Sequence, residues 1–204
     1  MRPFQRLVKG LALKKASKIV DHSSPYLYGR VLDLGAGRCY IAREIEKRLS
    51  LTVTCVDVKP LGLTELPLIL YDGIHIPLAD SSHDCVLLAY VLHHCNRPIR
   101  VLKEAIRVCK GNLVIFEDDE SILRKPQDFF YNRLHSVDTP FNFKSEKDWL
   151  DVFDALDLEL VAVKRGVEKE WFYPFVPHTM YVLRVKKLPG TASTPPAYSG
   201  KPVD

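Results

Sequence analysis

Val31-Leu32-Asp33-Leu34-Gly35-Ala36-Gly37-Arg38-Cys39 reads as a buried strand that runs into a glycine-hinged loop and opens a helix. The two glycines permit unusual backbone dihedrals and let the main chain approach a ligand closely, so the segment is expected to cradle a nucleotide-like cofactor. Two features speak against a dinucleotide. The Gly-x-Gly-x-x-Gly fingerprint is incomplete, because Gly37 is followed by Arg38, Cys39 and Tyr40. Asp33, expected at the mouth of the loop, would repel a pyrophosphate docked on the helix N-terminus and suits a cationic group instead.

Working outward, Leu51-Thr52-Val53-Thr54-Cys55-Val56-Asp57 is a β-branched run that ends in a carboxylate able to accept both hydroxyls of a ribose. Asp57 lies 22 residues after Gly35, near the ~20 expected of the ribose-binding acid in doubly wound nucleotide sites. The apolar run Leu68–Tyr71 leads to Asp72-Gly73, which reads as a plain turn on its residues alone, while the family resemblance given below implies an acid placed against an exocyclic amine. Pro98 to Cys109 has apolar residues at 99, 102, 106 and 109, predicting an amphipathic helix with Pro98 in its first turn. Lys110-Gly111 is expected to close it as a cationic last turn and glycine cap before the strand Asn112–Glu117. Further on, the pattern predicts a helix around Glu146 to Leu156 and strands at 158–164 and 179–185.

These segments resemble the class I S-adenosylmethionine-dependent methyltransferases, whose first motif commonly runs two hydrophobic residues, Asp, a hydrophobic residue, then Gly-x-Gly-x-Gly. Here Cys39 replaces the last glycine. The block from Ile76 to His94 is the longest match, with its proline-hydrophobic entry, acidic-small turn, acid at the strand start and histidine pair beyond. The resemblance spans about residues 28 to 186. It implies a single α/β domain, doubly wound and Rossmann-like, with a seven-stranded, mostly parallel sheet and an antiparallel edge. It also implies S-adenosylmethionine as cofactor, which carries an ammonium and a sulfonium and no phosphate. The residues expected to bind it are Asp33, Gly35, Ala36, Gly37, Asp57, Val58, Asp72, Gly73 and Ala89.

The acceptor is expected to be a small molecule, as in quinone-biosynthesis-like enzymes, with no catalytic residue assigned. The strand end Leu88-Ala89-Tyr90 lacks the Asn/Asp-Pro-Pro-aromatic signature of amine methylation on DNA bases. It also lacks the carboxylate that metal-dependent catechol-type enzymes place there, so no metal is expected. Glu117-Asp118-Asp119-Glu120 reads as a solvated loop at a strand end rather than a metal site. His93 and His94 are readable as a general base or as residues that orient the following loop. Tyr131, His135, Trp171, Tyr173 and His178 fall where the resembled family builds its substrate cover. Competing readings are a methyltransferase-fold scaffold without catalysis, motivated by the absence of a nucleophile-activating constellation, and an NAD-dependent oxidoreductase, which Asp33 and the missing glycine disfavour.

The 204 residues, 47% hydrophobic and 26% charged, suit one soluble globular domain with a proper core. A net charge of +4 with no long basic-aromatic interleaving disfavours a nucleic-acid partner. Cys39, Cys55, Cys85, Cys95 and Cys109 fall singly, without a Cys-x-x-Cys pair, which favours reduced thiols in a cytoplasmic compartment. Residues 1–20 carry six Lys or Arg and no acid. They read as a helix at 4–21 that precedes the first strand and covers the cofactor pocket. The alternatives are a mitochondrial transit peptide or a helix on a membrane surface. The domain is expected to occupy 1–187, followed by a flexible Pro/Gly/Ser-containing tail at 188–204.

Overall fold

β1 (Arg30–Leu34) is the centre from which the sheet is built, with Val31, Leu32 and Leu34 fully buried. An apolar run buried on both faces is what a parallel strand covered by helices on either side requires. In this computed structural model, which describes residues 3–61, 65–118, 144–167 and 178–186, with side chains from residue 9 onward, β1 pairs in parallel with β2 (Thr52–Asp57) and β4 (His83–Ala89). β3 (Leu68–Leu70) adds to β2, and β5 (Cys109–Asp118) adds to β4, both in parallel. β7 (His178–Val185) then runs antiparallel to β5, and β6 (Leu158–Arg165) antiparallel to β7. The order is β3-β2-β1-β4-β5-β7-β6, the seven-stranded, mostly parallel sheet with an antiparallel edge.

Helices divide between the two faces. α1 (Pro3–Ser23) and α2 (Tyr40–Leu49) bury Ile19, Val20, Ala42 and Ile45 against Val31, Cys55, Leu87 and Val114. On the other face, α3 (Pro98–Val108) and α4 (Glu146–Ala155) bury Leu102, Ala105, Trp149 and Phe153 against Leu32, Leu88, Ile115 and Tyr181. The odd and even residues of each strand thus feed separate cores, as the alternation of side chains along a strand dictates. α4 starts with a capping box in which Ser145 accepts from the Asp148 amide while Asp148 accepts from the Ser145 amide, settling two donors that helix geometry leaves over. α1 begins one residue earlier and ends two later than the expected 4–21. It packs on the sheet ahead of β1, and no described helix is long and apolar enough to cross a membrane. The five cysteines are free thiols.

One expectation needs correction. α3 ends at Val108, and Lys110-Gly111 are strand residues in β5 rather than a cationic last turn and glycine cap. Cys109 is already extended, at φ −91 and ψ 136. Glycine is needed at 111 for space: a Cβ there would lie 2.0 Å from Tyr28 Oη and 2.8 Å from the Asp84 carbonyl oxygen. A local rule for helix ends read Gly111 as punctuation, whereas a neighbour far away in sequence sets its identity.

At the far edge, the β6–β7 ladder shifts register between Leu160 and Ala162, and Leu160 and Val161 are exposed there.

Gly111→Ala is expected to cost about 1–3 kcal/mol, the range for overpacking a well-filled interior. Adding Tyr28→Phe should return part of that loss, because it removes the nearest obstructing atom, and urea denaturation of the two single variants and the double variant measures the coupling.

Candidate functional site

The chain order places β2 and β3 on one side of β1 and β4 on the other, so the crevice between the ends of β1 and β4 is a topological switch point. There the loop after β1 turns back over the sheet. The amides of Gly35 and Ala36 both donate to the Val56 carbonyl, at 2.8 and 3.0 Å, and the Gly37 amide donates to Asp57 Oδ2 at 2.7 Å. Gly35 has φ +78, and a Cβ on it would lie 2.5 Å from Val91 Cγ2, so both backbone and space demand glycine. Cys39 adopts the left-handed conformation at φ 58 and is fully buried. The non-glycine residue in the third position therefore keeps a glycine-like backbone, and its amide donates to the Ala36 carbonyl.

A cavity of about 790 Å³ opens beside this loop. Of the nine residues expected to bind cofactor, Gly35, Asp57, Val58, Asp72 and Gly73 line it. Asp33, Ala36, Gly37 and Ala89 are not among its lining residues, although the Gly37 amide is held by the Asp57 carboxylate. Asp57 Oδ1 in turn accepts from the Lys59 amide at 2.9 Å. Asp72 Oδ1 accepts from the amides of Ile74 and His75, at 2.7 and 2.6 Å. The amides of His75 and Ile74 hold its carboxyl below the usual carboxylate value. Asp72-Gly73 is thus a turn and a cavity wall at once.

Asp33 lies beneath the loop rather than at its mouth, 1% exposed. The Ala42 amide, in the first turn of α2, donates to its carboxyl, while Oδ2 is buried without a partner among the described residues. Burial pushes this carboxyl up to about 7; the Ala42 amide offsets part of the rise and the charge on Asp57 adds to it.

The opposite wall comes from residues after β4: His94, which the sequence offered as a candidate, together with Tyr90, Val91, Asn96 and Arg97, which were not among the expected site residues. Tyr90 holds φ 61, a strained conformation for an aromatic residue and of the kind that gathers at functional sites. Its amide donates to the Phe116 carbonyl at 2.8 Å, and the Lys15 ammonium sits 3.9 Å from its ring centre. The position of these residues was recoverable from topology alone, since they follow the strand on the far side of the switch point.

The acidic run at the end of β5 also departs from expectation. Glu117 and Asp118 are not a solvated loop but buried strand residues, 1% and 7% exposed. Glu117 accepts from the Leu92 amide at 2.7 Å and pairs with His93 Nδ1 at 2.6 Å. Asp118 pairs with His178 Nδ1. His93 is therefore tied into the turn after β4, as the loop-orienting reading expected, whereas His94 faces the cavity. Asp119, Glu120, Tyr131, His135, Trp171 and Tyr173 lie outside the described residues. Among the described residues, no group of three or more His, Cys, Asp or Glu is placed to hold a metal ion.

Residues 32–116 match the family model described as a methyltransferase domain. No curated protein matches the chain. Among solved structures, the fold is shared with an S-adenosylmethionine-dependent methyltransferase from Aquifex aeolicus, at 18% identity and TM-score 0.61 over 86% of this chain and 97% of that one. A chain from the Haloferax volcanii complex of a methyltransferase with its Trm112 activator superposes at 14% identity and TM-score 0.66, over 88% and 93% of the two chains. The cyclase SpnF superposes at 13% identity and TM-score 0.62, over 85% and 80%. At these identities the structures share a fold, and one fold of this kind hosts more than one chemistry.

Because the folded-state value for Asp33 lies above its ordinary 3.8, the native state keeps this proton longer than the unfolded chain does. Stability is therefore lost as pH rises from about 4 to about 7. Asp33→Asn, which keeps an acceptor for the Ala42 amide, should gain on the wild type by a few kcal/mol (~1.4 per pKa unit) across that window. Urea denaturation of both proteins at pH 4.5 and 7.5 checks the sign. Glu117→Ala should cost about 2–3 kcal/mol by stranding the Leu92 amide and His93, and Glu117→Gln, which still accepts from that amide, should cost less.

Proposed function

We propose, for a chain that carries a methyltransferase domain on a class I methyltransferase fold, that it transfers a methyl group from S-adenosylmethionine to a small-molecule acceptor. The observation that carries this reading is the placement of Gly35 and Asp57 on one cavity at the topological switch point, inside the segment that matches the methyltransferase domain.

The residues present fit a phosphate-free nucleoside cofactor. Gly35 lines the cavity with backbone alone, because Val91 takes the place a Cβ would fill. Each Asp57 carboxylate oxygen accepts one backbone amide, from Gly37 and Lys59, and keeps a further lone pair for paired hydroxyls. Asp72 and Gly73 form the rim where a base would lie, with the Asp72 carboxylate anchored by its own turn. When bound, S-adenosylmethionine supplies an electrophilic methyl group on a sulfonium. What the chain then has to do is hold donor and acceptor in line and keep water away from the reacting atoms. Val91 packed on Gly35 and the Tyr90 ring backed by Phe116 form a firm apolar wall for that purpose.

The domain is proposed to span 1–187, with α1 as the helix that covers the sheet next to the site. The Lys15 ammonium over Tyr90 supports this role for α1.

Isothermal calorimetry with S-adenosylhomocysteine tests the reading. The wild type should bind it, and Asp57→Ala should weaken binding at least ~10-fold, about 1.4 kcal/mol. Absence of binding, or equal affinity in the variant, would sink the cofactor assignment.

A further inference from the structure

We propose that His178 is the general base that takes the acceptor's proton and that Asp118 is its positioning residue, an assignment that rests on the methyl-transfer reading above. The β5–β7 register sets Asp118 directly opposite His178, at the end of the sheet where the parallel strands present their carboxyl termini. Asp118 Oδ1 pairs with His178 Nδ1, and both residues are buried, at 7% and 5% exposure. A carboxylate that accepts from Nδ1–H fixes the imidazole in the tautomer whose Nε2 carries a lone pair.

That Nε2 is buried and has no hydrogen-bond partner among the described residues. Leaving such an atom unpaired costs about 1–3 kcal/mol, which a hydroxyl or amine donor brought beside it would recover. His93 makes the contrast. Its Nδ1 is bound to Glu117, and its Nε2 lies 4.0 Å from Asp118 Oδ2, so both sides of that ring face carboxylates. Two imidazoles and two carboxylates thus alternate at the strand ends, and Nε2 of His178 is the nitrogen left over for something from outside.

The imidazole is not itself among the residues that line the cavity, but it touches one that is. Its ring packs edge-on against Tyr90, with centroids 5.2 Å apart, and Tyr90 walls the cavity. The acceptor class this favours bears an O–H or N–H on a group that is neutral at neutral pH, such as a phenol or an aromatic amine, rather than a group already ionised. In the step, the acceptor oxygen or nitrogen forms a bond to the methyl carbon while the carbon–sulfur bond breaks and its electron pair stays on sulfur. The acceptor's proton passes to Nε2, and Asp118 stabilises the resulting imidazolium.

Two measurements on the full chain decide the matter. Long-range proton–nitrogen spectra of protein labelled with nitrogen-15 in its histidines should show His178 protonated at Nδ1 and bare at Nε2. Asp118→Asn should disturb that tautomer while the protein stays folded. A proton found on Nε2 overturns the assignment whatever the turnover. The second measurement follows transfer from methyl-tritiated S-adenosylmethionine to a panel of simple phenols and aromatic amines. His178→Gln should bind S-adenosylhomocysteine as the wild type does yet transfer about 100-fold or more slowly. Transfer at the wild-type rate, or a parallel loss of cofactor binding, overturns the proposal, as does a wild type that binds cofactor and methylates nothing on the panel. A wild type that fails to bind S-adenosylhomocysteine refutes the cofactor reading instead, and the tautomer still decides whether Asp118 holds His178 as stated.

Discussion

One buried carboxylate, Glu117, sets the geometry on which the site depends. Taking a charge out of water is costly unless hydrogen bonds replace the lost hydration, and Glu117 finds them in the Leu92 amide and the His93 ring. Those two partners lie in the short turn after β4, so the end of β5 clamps that turn to the sheet. The clamp holds Val91 over Gly35, and the resulting shortage of space is one reason the loop after β1 must be glycine there. The pairing of two strand ends thus fixes both a loop sequence and a cavity wall. A neutral residue of similar size at 117 would leave the turn with one tether fewer.

Much of this arrangement was legible in the sequence because it is written in local period and punctuation. The apolar run into Gly35, the β-branched run into Asp57 and the spacing in Pro98–Val108 each predict one element, and each element forms. The two late β-rich runs likewise emerge as the antiparallel pair β6 and β7. What stayed hidden depends on partners distant along the chain. Glu117 and Asp118 looked solvated because four acids in a row imply hydration, and nothing near them reveals that His93 and His178 will arrive from the turn after β4 and from β7. Gly111 looked like a helix cap because its true constraints are the Tyr28 hydroxyl and the Asp84 carbonyl, both distant in sequence. Asp33 was expected at the cavity because its motif sits there, but successive strand residues face opposite ways, and its side chain turns toward the start of α2.

The two faces of the sheet carry different duties. The face under α3 and α4 is mostly apolar, with aromatic packing of Trp149, Phe153 and Tyr181. The face under α1 and α2 keeps polar and strained residues near its carboxyl end, among them Tyr90, Asp118 and His178. α1 contributes to both needs, burying Ile19 and Val20 deep in the core while Lys15 reaches Tyr90. Apolar packing thereby occupies the middle of the strands and buried titratable groups their end.

The register shift in β6 has a consequence for how the molecule keeps to itself. An edge strand offers a free row of amides and carbonyls on which another chain can add, and an edge bearing apolar side chains such as Leu160 and Val161 would be a hazard for aggregation. A bulge between Leu160 and Ala162 coils that edge and breaks the even spacing an incoming strand would need to match. Charged Glu159, Lys164 and Arg165 bracket the same stretch. The irregularity in the ladder therefore serves as a stop that ends the sheet at seven strands.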